Sequence, residues 1–120
     1  MSLLRRSGQS QETLPTGDET GFPPLDQPYI LDERSAGVRF YRGRESFFFS
    51  YALLQSMKLA EEKLTISFAT GDIEIIGRGL HSLYAHFSGQ KVACVIQQGE
   101  RYAGAMETAT FVSRIEVLLR

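Results

Sequence analysis

The stretch that decides the fold runs from residue 64 to residue 89 and reads LTISFATGDIEIIGRGLHSLYAHFSG. Its first half alternates. Leu64, Ile66 and Phe68 are separated by Thr65 and Ser67, and Ile73 and Ile75 by Glu74. Successive side chains of a strand point to opposite faces, so a period of two means one face buried and the other wetted, as in an antiparallel meander. Thr70-Gly71-Asp72 supplies the turn between the two runs. The second half changes period. Leu80, Leu83, Tyr84 and Phe87 stand at i, i+3, i+4 and i+7, which is one apolar stripe on a helix over about 80–89. Gly89 falls where a left-handed C-terminal cap would end it. Propensity alone does not hold so short a helix in water, so the stripe must lie on the sheet.

The same reading extends outward. Met57 and Leu59 alternate with Lys58, and Glu61-Glu62 is a polar turn. Upstream, VRFYRGRESFFFSY (38–51) predicts a strand over 46–51 and an earlier one over 38–41, punctuated by Gly43. Downstream, KVACVIQQ (91–98) is apolar enough for a central strand, and GERYAGAMETAT (99–110) predicts a loop with a helical turn. FVSRIEVLL (111–119) closes the chain, with Phe111, Ile115, Val117 and Leu119 facing inward and Arg114 and Glu116 outward. The fold class that follows is α+β: an antiparallel sheet of about six strands with one amphipathic helix on one face.

Residues 1–36 differ in character. They hold all four prolines, Pro15, Pro23, Pro24 and Pro28, with six carboxylates against three arginines, and their apolar residues have no period. They read as a flexible or draped N-terminal tail, and 37–120 as a single small domain.

The run LTISFATGDIEIIGRGLHSLYAHFSGQKVACV, followed by RIEVL, resembles a group of small bacterial proteins with two short strands, a glycine-flanked residue, an amphipathic helix and a strand. The resemblance covers about residues 46–118. It implies a bacterial source and carries over no activity, cofactor or catalytic residue.

Composition narrows the function classes. The chain has 120 residues, a net charge of −1 and one cysteine. Near-neutrality gives no global field toward nucleic acid or anionic membrane. A lone Cys94 forms no intrachain disulfide. The N-terminal MSLLRRSGQSQ lacks the apolar run of a secretory signal, and no stretch approaches the roughly 18 apolar residues of a bilayer span. The expected location is cytoplasmic, with no membrane partner.

Candidate chemistry is sparse. His81 and His86 lie five apart, about 140° around a helix, and do not share a face for one metal. Cys94 sits in an apolar strand, where an inert thiol is the usual outcome. No nucleophile elbow, zinc-protease helix or cofactor fingerprint occurs, so neither cofactor nor catalysis is expected.

Two surface readings stand out. Arg39, Arg42 and Arg44 interleave with Phe40 and Tyr41, and Arg78 sits between Gly77 and Gly79 at a strand-to-helix junction; arginines beside aromatics grip phosphate and stack bases, which predicts anion or nucleic-acid binding as the alternative function. The leading reading rests on Phe47, Phe48, Phe49 and Tyr51. Phe48 points away from the other three, so it needs a cover: Phe22, Leu25 or Tyr29 of the tail, or another chain. That predicts a non-catalytic interaction module, a homodimer or a protein binder, working through an aromatic sheet face.

Overall fold

A computed structural model describes residues 27–99 and 110–120. The order is β1 (Tyr29–Leu31), β2 (Gly37–Arg42), β3 (Glu45–Ser50), a 3-10 turn (Tyr51–Leu53), β4 (Leu54–Ala60), β5 (Lys63–Phe68), β6 (Gly71–Arg78), α1 (Leu80–Ser88), β7 (Val92–Ile96) and β8 (Phe111–Leu119). The fold is α+β. The strands form two sheets rather than one of six: β1-β7-β2-β3, here sheet A, and β4-β5-β6-β8, here sheet B. Sheet B is antiparallel throughout, whereas β2 and β7 pair in parallel.

The split has a local cause. Ser50 ends β3, and its hydroxyl accepts from the Ala52 N–H at 3.2 Å, capping the 3-10 turn that carries the chain out of sheet A and into sheet B. Aromatic side chains then fill the space between the sheets. Phe49 of β3 stacks on Phe68 of β5 at 4.7 Å between centroids, Phe40 meets Phe49 edge-on at 5.9 Å, and Phe87 of α1 lies along Phe40 at 6.3 Å. The helix touches β4 and β5 on one side and β7 on the other, so it packs against both sheets rather than on a single face. Leu80, Leu83 and Phe87 are fully buried, and Tyr84 is partly so. Burying the first three contributes roughly 5–9 kcal/mol gross.

Several local expectations need correction. Gly89 is not left-handed (φ −90°); that step falls on Gln90 (φ 58°). The Gln90 N–H donates to Phe87 O at 2.9 Å and the Lys91 N–H to His86 O at 3.1 Å, the two bonds of a Schellman ending, one residue later than expected. Between β6 and β8 the register shifts at Ile76 and Gly77, so that Val112 is buried beside Phe111, which is interior as expected. Leu119, expected inside, is 66% exposed at the strand's end. Tyr29–Leu31, in the segment read as a tail, forms a strand, and the Tyr29 ring lies beside His86 at 5.8 Å rather than over Phe48. Phe22, Leu25 and the loop turn expected over 100–109 lie outside the described residues.

Candidate functional site

The hairpin β2–β3 explains the interleaved arginines and aromatics. Its two-residue turn, Gly43 and Arg44, needs the positive φ that Gly43 adopts at 61°. That turn sets Arg42 opposite Glu45, Phe40 opposite Phe47, Arg39 opposite Phe48 and Val38 opposite Phe49. Cross-strand partners share a face. Val38, Phe40 and Phe49 therefore point together into the core, and Arg39 and Phe48 together out of it.

The outward set continues across sheet A. Ile30 pairs with Cys94, Cys94 with Arg39 and Arg39 with Phe48, one row over all four strands; Ile96, Tyr41 and Ser46 form a second, in which Ile96 is fully buried. Phe48 is 53% exposed. One edge of its ring rests over Gly37, where a Cβ would meet the ring carbon Cζ at 2.5 Å, and the Arg39 guanidinium lies 5.3 Å from its centroid. Cys94 and Ile30 are half-buried. Burial pushes the Cys94 thiol up to about 11, with Arg39 pulling the other way, so the thiol is protonated and unreactive at neutral pH. Burial also raises Tyr41, with Cys94 adding to the rise and Arg39 opposing it.

Of the four aromatics read as an interface, Phe48 faces outward and Phe47 is half-buried against the core, while Phe49 (4% exposed) and Tyr51 (6%) are interior. Tyr51 is a structural pin. Its hydroxyl donates to Val92 O at 2.6 Å and accepts from the Val92 N–H at 3.1 Å, and burial pushes its pKa up to about 12.

The four arginines do not converge. Arg39 belongs to the outer face of sheet A. Arg42 bridges the sheets: its Nη2 reaches Glu45 Oε1 at 2.9 Å, its Nη1 donates to Ile115 O at 3.2 Å, and its guanidinium lies 5.6 Å from the Phe47 centroid. Arg44 is exposed in the turn. Arg78 ends β6 on sheet B and lies 5.1 Å from the centroid of its cross-strand partner Phe111. At the junction, Gly79 takes the left-handed angle (φ 65°) that starts α1, whereas Gly77 makes room: a Cβ there would lie 1.8 Å from Phe111 O. His81 is exposed and His86 half-buried on α1.

Two residues passed over in the sequence matter structurally. Gln97 Oε1 accepts from the Ile115 N–H at 2.8 Å, and Gln98 trades bonds with Val112, N–H to O at 2.8 Å and Oε1 from N–H at 3.1 Å. They close the free edge of β8. The doubled amide directly after an apolar strand was the available signal.

Among the described residues no helix is long and apolar enough to cross a membrane, and no three His, Cys, Asp or Glu side chains gather as a metal set. No protein-family model, curated protein or solved structure matches the chain.

Proposed function

We propose that the chain is a non-catalytic interaction module that holds another polypeptide through β3 and the outer face of sheet A. The observation that carries this reading is the row Ile30–Cys94–Arg39–Phe48: an apolar strip across four strands, with a half-exposed phenyl ring at its open end and a single cation stacked on it. An apolar strip with an aromatic–arginine end has the composition of a protein-binding hot spot. The scatter of Arg39, Arg42, Arg44 and Arg78 over different faces, three of them stacked on phenylalanines, favours a polypeptide over a phosphate backbone, which needs cations in a line.

The test is a photo-crosslinking amino acid placed at Phe48 and, as a control, at Glu74 on the outer face of sheet B, each in the full chain in its own cells. A polypeptide adduct is expected from position 48 and none from position 74. Equal yields at the two positions, or none at 48, contradict the reading.

A further inference from the structure

Resting on that reading, we infer that the polypeptide held is a second copy of this chain, added by antiparallel pairing of β3 with its symmetry mate. The inference comes from a survey of the sheet edges. Sheet edges invite further strands and are usually blunted. β1 has only three residues. β4 carries an irregularity between Leu54 and Ser56 and an exposed Lys58. β8 is closed by Gln97, Gln98 and Arg42. β3 has none of these devices. It runs in unbroken register, holds no lysine, proline or bulge, and among the described residues packs extensively only against β2.

The hydrogen-bond phase shows what that edge offers. A two-residue turn makes Arg42 and Glu45 a bonded pair, so Phe47 and Phe49 also bond to β2. The Tyr51 N–H, bonded to Ala36 O at 3.0 Å, continues the same phase. The N–H and C=O groups of Ser46, Phe48 and Ser50 therefore point to the open edge, and their side chains lie on the outer face of sheet A.

Residues 46–50 read SFFFS, a palindrome. Two such strands paired antiparallel about Phe48 set Ser46 against Ser50, Phe47 against Phe49 and Phe48 against Phe48. No charge opposes a like charge, and polar meets polar while ring meets ring. A one-residue slip would turn the wrong groups to the edge. The result is one eight-stranded sheet whose outer row runs Ile30–Cys94–Arg39–Phe48 and then in reverse through the mate. Leu53, 40% exposed just past β3, extends the contact. Strand pairing of this length falls short of the roughly 1,200 Å² typical of stable complexes, so the dimer is a weak one, with a dissociation constant of order micromolar.

The experiment is sedentary in design: sedimentation equilibrium of the full 120-residue chain across a wide concentration series, with Phe48→Glu, Phe48→Lys and their mixture. Wild type should pass from monomer to dimer. Each variant alone should weaken association at least about thirtyfold, because like charges meet at the two-fold. The mixture should dimerise again, as unlike charges then face each other. If Phe48→Lys does not fold, a cysteine at 48 in a Cys94→Ala background should form an intermolecular disulfide on mild oxidation, since bonded partners lie about 5.5 Å apart. A cysteine at 46 should not. A wild type that stays monomeric, dimers that survive both charged variants, or equal disulfide yields at 46 and 48 overturn the inference. A monomeric wild type that is still crosslinked from position 48 to a different chain overturns the inference alone. A monomer with no such adduct overturns the broader reading as well.

Discussion

The two outer faces of the molecule obey the same pleat and look nothing alike. On sheet B the outward rows are Lys58–Thr65–Glu74–Glu116, Ala60–Lys63–Ile76–Arg114 and Ser56–Ser67–Asp72–Leu118, laced by Lys63–Glu74 at 3.9 Å and Arg114–Glu116 at 3.0 Å, with Leu118 the exposed apolar exception. On sheet A the equivalent positions hold Ile30, Cys94, Tyr41 and Phe48 with Ser46, Ser50 and a fully buried Ile96, and Arg39 is the one charge among them. Alternation on sheet B separates apolar from charged, which suits a face in contact with water. On sheet A both phases are largely apolar, and a sheet with two apolar phases suits contact on both sides. The contrast teaches that the inward phase fixes the fold, while the outward phase is free to differ between the two sheets.

Four substitutions or conditions sharpen that contrast. The largest effect separates the two phases of one strand. Phe49→Ala should cost about 3–5 kcal/mol in urea unfolding, because Phe49 fills the space against Phe68 and Phe40, whereas Phe48→Ala should cost under about 1 kcal/mol. Equal costs would mean that Phe48 is core. Next comes the closed edge. Gln98→Leu leaves the Val112 N–H without its amide acceptor and should cost about 1–3 kcal/mol by the same measurement. A neutral outcome would remove the Gln97–Gln98 closure from the account.

The third is a pH effect on the outer face of sheet A. The folded thiol of Cys94 titrates near 11 against an ordinary 9, and folding favours its protonated form. The stability from that preference is complete below pH 9 and is lost as pH rises toward 11; Tyr51 extends the loss from about 10 to 12. Thermal melting should therefore be insensitive to pH below 9 and fall above it, and Cys94→Ala should move the onset upward by about one unit, toward the Tyr51 window. An unchanged onset would place the thiol in water. The smallest effect is on sheet B. Glu74→Ala should change stability by less than about 0.5 kcal/mol, since its ion pair with Lys63 is solvent-exposed. A large loss there would mean that this face, too, is covered.

Much of this was legible in the chain. The alternation through Leu64, Ile66, Phe68, Ile73 and Ile75 and the stripe Leu80–Leu83–Phe87 report burial directly, and each of those side chains is buried. Local period does not say which strands share a sheet. Nothing in it distinguishes one six-stranded sheet from two of four, because that choice is made by the 3-10 corner at Tyr51–Leu53 and by a parallel pairing between β2 and β7, far apart in sequence. The outward direction of Phe48 was legible, because its phase alone decides it. Phe49 and Tyr51 were grouped with it as one aromatic run, although the same phase sets them on the opposite side, where both are interior. The scatter of the arginines was within reach: the Gly43–Arg44 turn fixes the hairpin register, and the register pairs Arg39 with Phe48.

The central claim is that, among the described residues, β3 presents an open, aromatic edge, and amide hydrogen exchange on the dilute full chain tests it most directly. The account predicts an alternation within one strand, with the amides of Phe47 and Phe49 protected by β2 and those of Ser46, Phe48 and Ser50 exchanging fast. Uniform protection along all five residues would show that the edge is already covered, and would contradict it.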